Sequence, residues 1–255
     1  MGTIISVFNQ KGGVGKTTTN VNLSACLASL GKKILVIDID PQGNTTSGFG
    51  VNKTNISFSI YDALINGVNI KEIIQGTNVE NLDIVPSNTE LAGAEIELTD
   101  VKNRELTLKN SLEPVKDDYD FIFVDCPPSL GLLTINALVS SDSVIIPIQC
   151  EYYALEGVSQ LMNTIKLVKS SLNPNLEIQG VVLSMFDGRT NLSIQVVDEV
   201  KKFFRGKVYT TIIPRNVRLA EAPSYGLPII DYDAKSKGAE AYMELANEFL
   251  EYIEE

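Results

Sequence analysis

The sequence predicts an α/β fold, a doubly wound, mostly parallel sheet with helices on both faces. Three features of its 255 residues predict this. Apolar, β-branched runs alternate with helical patterns from end to end. Runs such as Ile34-Leu35-Val36-Ile37 and Phe121-Ile122-Phe123-Val124 are apolar at every position, as strands covered on both faces require. A glycine-rich turn joins the first run to the first helical pattern, the end of the sheet where such folds hold ligands.

The elements follow in order. Strands are expected at 3–8, 33–38, 82–86, 120–125, 143–148, 178–185 and 208–213, each short, β-branched and bounded by polar or turn residues. Helices are expected at 16–30, 60–66, 89–98, 105–115, 132–140, 155–172, 193–204 and 239–252. Gly31 stands where a left-handed C-cap closes the first helix. In the last helix Tyr242, Leu245, Ala246, Phe249, Leu250 and Ile253 recur at helical spacing, one apolar face of an amphipathic element. Neither repeats nor low-complexity linkers interrupt the pattern, so residues 1–255 are expected to form a single domain.

Composition narrows the chemistry. Hydrophobic residues make up 44% and charged residues 21%, the balance of an ordinary globular chain. Histidine is absent, which excludes Ser-His-Asp and Cys-His nucleophilic sites and His-ligated zinc. Cys26, Cys126 and Cys150 are widely spaced and lack a CxxC pair, so they are expected as small buried hydrophobes in a reducing compartment. The amino terminus lacks the basic n-region of a signal peptide and a lipidation signal, and no apolar run reaches the ~18 residues of a membrane span, so a cytoplasmic location is expected. The net charge of −11 repels nucleic acid and anionic lipid on average, leaving any such binding to a local patch.

The segment Lys11-Gly12-Gly13-Val14-Gly15-Lys16-Thr17-Thr18 lies between a strand and a helix, the setting of a phosphate loop. Its glycines let backbone N–H groups curl around an anion, and the helix N-terminus adds partial positive charge. Lys16 is placed to reach the β- and γ-phosphates and the Thr17 hydroxyl to ligate Mg²⁺. Gln10 replaces the usual first glycine, and a second lysine, Lys11, opens the motif. This K-G-G-x-G-K-T-T pattern is the deviant Walker A loop of the ParA/MinD ATPases, and the chain resembles the Soj-like ParA chromosome-partitioning proteins over essentially its whole length.

The resemblance implies a dimerisation-gated ATPase using ATP and Mg²⁺. Lys11 would reach the nucleotide of a partner subunit, a cation supplied in trans as an arginine finger is elsewhere. Asp125, at the tip of an apolar strand, fits the Walker B acid that holds Mg²⁺ through water. Asp40, in Asp38-Ile39-Asp40-Pro41-Gln42-Gly43, would position the attacking water. Asp38 either assists the metal or satisfies backbone donors at the strand end. Gly43 and Gly131 are expected as hinges of two loops that sense the γ-phosphate. Pro214 and Asn216 would contact adenine, and no N-K-x-D guanine reader is present.

Family members with this core act on DNA, membranes or metabolites. A membrane helix wants Lys or Arg on its polar face, whereas every charge after Lys237 is acidic: Glu240, Glu244, Glu248, Glu251, Glu254 and Glu255. A MinD-like membrane role is therefore the weaker alternative. Lys201, Lys202, Arg205 and Lys207 form an acid-free basic cluster, and in Soj-like relatives arginines in the contexts of Arg189 and Arg218 contact DNA without reading sequence. The expected partners are non-specific double-stranded DNA, a second copy of the chain, and a ParB/Spo0J-type centromere-binding protein, with a nucleoid-associated location. The phosphate loop begins ten residues in, so the short type without a helix-turn-helix extension is expected. A small-molecule P-loop ligase or kinase is the other alternative. It would share the loop and would not need Lys11 or the basic residues.

Overall fold

The structure, a computed structural model, describes residues 2–151 and 154–254. Glu255, counted above among the acids of the last helix, lies outside the described residues. In chain order the elements are β1 (Thr3–Val7), α1 (Lys16–Ser29), β2 (Ile34–Asp38), α2 (Asn44–Gly48), α3 (Ile70–Ile73), β3 (Gln75–Gly76), β4 (Leu82–Val85), α4 (Leu91–Glu97), α5 (Thr107–Leu112) and β5 (Phe121–Asp125). There follow α6 (Leu132–Ser140), β6 (Ser143–Gln149), α7 (Ala154–Ser171), β7 (Glu177–Phe186), α8 (Asn191–Phe203), β8 (Val208–Pro214), α9 (Val217–Glu221), α10 (Ile229–Tyr232) and α11 (Lys237–Glu254).

The strands form one sheet in the order β3-β4-β2-β5-β1-β6-β7-β8, parallel except for the antiparallel edge strand β3. The predicted α/β class is therefore observed. Alternation along each strand divides the core in two. Leu35, Ile37, Ile122 and Val124 face one layer of helices, while Ile34, Val36, Phe121 and Phe123 face the other. The second layer contains α1 and α11, and Phe249 of α11 packs edge-on against Phe121 with ring centroids 5.3 Å apart. Tyr242, Leu245, Ala246 and Phe249 are all buried there, whereas Ile253 at the end of the same face is exposed. No helix among the described residues is long and apolar enough to cross a membrane.

Each predicted strand is present. Gly31 adopts φ +84°, with its N–H bonded to the Ala28 carbonyl and that of Lys32 to Leu27, so α1 ends in a Schellman motif. The helix expected at 60–66 is instead one π-helical turn, Asp62–Asn66, closed when left-handed Gly67 donates to the Asp62 carbonyl. The helix expected at 105–115 contracts to α5. α2, α3, α9, α10 and β3 are too short to show a period in sequence.

β1 is the topological switch point: the chain leaves it for β2 on one side, and β6, β7 and β8 extend the other. The carboxyl ends of β1, β2 and β5 therefore border the crevice in which such sheets hold ligands.

Candidate nucleotide and metal site

The turn after β1 is built to leave its backbone open. Asn9 sets its start, donating from Nδ2 to the Pro147 carbonyl at 2.8 Å and accepting the Lys11 N–H at 3.0 Å. Gly13 and Gly15 lie in the left-handed region at φ +73° and +93°, conformations that other residues adopt at a cost. A Cβ added at Gly12 or Gly13 would meet nothing within 4 Å, so no neighbouring segment crowds the loop at these two positions. Lys16 folds back over it and its Nζ donates to the Lys11 carbonyl at 3.1 Å. The ammonium is largely buried, which lowers its pKa, while Asp125 opposes that shift. Gln10, which departs from the usual glycine, turns away and donates to the Thr164 hydroxyl of α7 at 2.9 Å, anchoring the loop.

The acids meet at the sheet's carboxyl edge. Asp38 of β2 and Asp125 of β5 are register partners, both fully buried. Asp125 Oδ2 accepts the Thr17 hydroxyl at 2.8 Å and the Thr45 hydroxyl at 2.6 Å, while its Oδ1 is buried without a partner. Burial, then the neighbouring acid, raises the pKa of Asp38; burial also raises that of Asp125, against its threonine hydrogen bonds. An orphaned carboxylate oxygen beside a hydroxyl and an ammonium fits a hydrated divalent ion. Among the described residues no group of three metal-ligating side chains is assembled, so such an ion would need phosphate oxygens and water to complete its shell.

Asp38 has a different task. Its carboxylate accepts the Thr46 N–H at 2.8 Å, the Thr46 hydroxyl at 2.7 Å and the Asp40 N–H at 3.1 Å. Of the two alternatives left open by sequence, these bonds support satisfaction of backbone donors. Asp40 accepts the Gln42 N–H at 2.9 Å, and its own carbonyl accepts the hydroxyl of buried Ser87 at 2.8 Å. Ser87 N–H in turn donates to the Thr46 hydroxyl at 2.9 Å, and Lys53 Nζ to the Gln42 carbonyl at 2.8 Å. Sequence reasoning missed Thr45, Thr46, Lys53 and Ser87. Only the two threonines, adjacent to the Asp-Pro-Gln-Gly run, carried a local signal.

The two expected hinge glycines differ. Gly43 is left-handed at φ +60° and caps α2. Gly131 has an ordinary extended φ of −119°, and a Cβ there would lie 2.3 Å from the Glu95 carboxylate. Glu95 occupies that space to cap α6, accepting the Leu132 N–H at 2.7 Å and that of Leu133 at 3.3 Å. Gly131 is thus a space requirement at the loop after β5.

Beyond Gly15 and Thr18 the crevice continues into a pocket bordered by Ile213, Pro214, Asn216 and Leu219. The structure thereby brings Pro214 and Asn216 to the phosphate loop from the far end of the chain. Asn216 Oδ1 caps α9, accepting the Arg218 N–H at 2.8 Å, so its amide nitrogen is the group left for a ligand.

Comparison with known proteins agrees with this geometry. The AAA domain family matches residues 2–178. The sporulation initiation inhibitor protein Soj of Bacillus subtilis is 62% identical over 248 residues, covering 97% of this chain and 98% of that protein. The chromosome partitioning protein ParA of Myxococcus xanthus is 54% identical, covering 98% of this chain and 88% of that protein. The chain belongs to the Soj/ParA family of P-loop ATPases. Its fold also superimposes with a TM-score of 0.88 and 35% identity on cobyrinic acid a,c-diamide synthase from Mycobacterium smegmatis with bound ADP and magnesium, covering 100% of this chain and 96% of that one.

In this Soj/ParA chain the expected DNA-contacting residues fall into two places. Arg189, after β7, and Arg218, after β8, stand at the same sheet end as the phosphate loop. Both are paired: Arg189 with Asp187 at 2.7 Å, and Arg218 with Glu221 at 2.9 Å and Asp233 at 3.4 Å. Lys201, Lys202, Arg205 and Lys207 are exposed at the opposite end, because α8 carries the chain back before β8 begins. Its 13 residues span about 20 Å. Lys202 pairs with Glu199 at 2.7 Å. The two basic groups, near one another in the sequence, are thus separate surfaces.

Proposed function

We propose that this chain is a DNA-partitioning ATPase that binds ATP and Mg²⁺, dimerises around the nucleotide, holds double-stranded DNA non-specifically and releases it on hydrolysis. The observation that carries the reading is the convergence of a phosphate loop uncrowded at Gly12 and Gly13, Lys16, and an Asp125 oxygen with no partner, in a chain 62% identical to Soj. Backbone N–H groups of the loop and Lys16 would hold the β- and γ-phosphates, and Thr17 with Asp125 would hold the metal, Asp125 through water. Mg²⁺, when bound, neutralises charge on the phosphates. Asp40 would orient the attacking water, its backbone fixed by Ser87. Lys11 would reach across to the partner's phosphates. No carboxylate pairs with it among the described residues. The whole chain would act as one ATPase domain with weak intrinsic turnover, because the DNA-holding state must outlive binding.

Arg189 and Arg218 would contact phosphates. The side chain of Arg189 is 87% exposed, so exchanging Asp187 for a DNA phosphate costs little. The acidic chain suits a basic stimulating segment, as a ParB/Spo0J-type partner would offer, and nucleoid association in the cytoplasm follows. A ligase reading has the structural likeness to the diamide synthase in its favour, at 35% identity against 62% for Soj.

DNA co-sedimentation with ATP, with ADP and without nucleotide, across a salt series, tests the proposal. Retention is expected with ATP alone and should fall steeply with salt. Equal retention in all three states would sink it.

A further inference from the structure

Met185 adopts φ +52°, one of few non-glycine residues of the described chain in the left-handed region, and it does so inside a strand. The pairing of β7 with β8 shows why. Leu183 pairs with Ile212 and Phe186 with Pro214, so three steps along β7 are matched by two along β8. Met185 therefore belongs to a bulge, a device that re-aims a side chain at the cost of a ladder position.

Both neighbours of Met185 are tied down. The Ser184 carbonyl accepts the Cys150 N–H at 3.0 Å, and its hydroxyl donates to the Val14 carbonyl of the phosphate loop at 2.7 Å. The Phe186 carbonyl accepts the Arg215 N–H at 3.0 Å, from the segment carrying Pro214 and Asn216. The unfavourable conformation is thus held between an anchor on the phosphate loop and an anchor on the segment beyond β8. Met185 itself is half-buried and lines the pocket that Gly15, Pro214 and Asn216 share.

We infer that the β7 bulge exists to turn Met185 onto the nucleobase, and that Met185 is a residue that selects adenine over guanine; this rests on the ATP reading above. Its thioether offers a polarizable apolar surface and no useful hydrogen-bond donor or acceptor. Ile213, Pro214, Leu219 and Ala220 extend that apolar wall. Against this apolar wall guanine would bring two donors, its N1–H and its exocyclic amine, where adenine brings only its amine, and each further unpaired polar group discriminates strongly.

Displacement of a fluorescent ADP analogue by ATP and by GTP, measured on the full chain and two variants, tests the inference. Met185→Gly keeps the left-handed backbone without strain and removes the side chain. ATP affinity should fall about tenfold, as loss of a buried apolar contact of this size predicts. Met185→Asn also tolerates the backbone and introduces an amide. Its ratio of ATP to GTP affinity should fall about tenfold. Thermal melts confirm that both variants fold. If the unsubstituted chain binds the analogue yet both folded variants keep its ATP affinity and its ATP-to-GTP ratio, the inference is overturned while the ATP reading stands. If the unsubstituted chain binds no nucleotide, both fail.

Discussion

At the scale of single residues, the site is a set of buried polar groups whose partners come from distant chain positions. Ser87 shows how they work: it touches neither phosphate loop nor Asp125, yet it holds the carbonyl of Asp40 and, through Thr46, the carboxylate of Asp38. Ser87→Ala should cost about 1 kcal/mol of stability. Phosphate release should slow severalfold at unchanged ATP affinity, because the loop's position is altered and the binding groups are not. Cys26 and Cys150 are also legible at this scale. Burial pushes the Cys26 thiol up to about 12 and that of Cys150 up to about 11, and burial raises Cys126 too. A thiol raised in the fold stays protonated at pH 8, and the thiolate is the nucleophile. Native protein should therefore resist iodoacetamide at pH 8 and take it up on all three cysteines in urea, as mass spectrometry would show.

At the scale of elements, helices and strands are finished by particular groups at their ends and edges. β8 is an edge strand, and its register slips between Val208 and Ile212. Glu248 of α11 fills that irregularity, accepting the N–H groups of Thr210 and Thr211 at 2.6 and 2.9 Å and the Thr211 hydroxyl at 2.7 Å. Glu248→Ala would leave those donors to water or to another strand. A loss on the order of 1–2 kcal/mol is expected, with light scattering that rises with protein concentration. Gly31→Ala forces a side chain into the left-handed region at the end of α1 and should lower stability by about 1 kcal/mol, a fall of roughly 2–4 °C in the melting temperature. The Gly31 cap was legible because glycine after a helical run has one common meaning. The partner of Glu248 was not, since a glutamate on a polar helix face looks like any solvated charge.

For the whole molecule, the parallel sheet imposes polarity. The phosphate loop, Asp38, Asp125, the pocket at Pro214 and Asn216, Arg189 and Arg218 share the carboxyl end, and Lys201, Lys202, Arg205 and Lys207 occupy the other. A chain of net charge −11 can hold DNA only where cations are gathered, and two copies joined at the nucleotide end, as proposed above, would gather them there. Arg189→Glu should therefore reduce ATP-dependent DNA retention at least tenfold and flatten its salt dependence, with ATP affinity unchanged. Lys11→Ala should still bind ATP, while light scattering finds monomer and phosphate release falls to background. A Lys11→Ala dimer of normal activity would remove the reason for the second lysine.

The amino-acid sequence alone determined the α/β class, each long strand, the glycine-rich loop after β1, the place of Asp125 at the tip of β5 and the family, because those features are local: two-faced apolar runs, glycines at fixed spacing, an acid at a strand tip. It also carried the absence of histidine and with it the chemistries excluded. Only the tertiary structure decided that Asp38 serves the backbone of its own loop, that Gly131 makes room for Glu95, and that the two basic groups lie at opposite ends. Met185 belongs with these, since its turn toward the pocket comes from a bulge against β8. The reason is common to all four. Each depends on which distant segment lies alongside, and strand order and register are set by packing across the sheet, which no local pattern encodes.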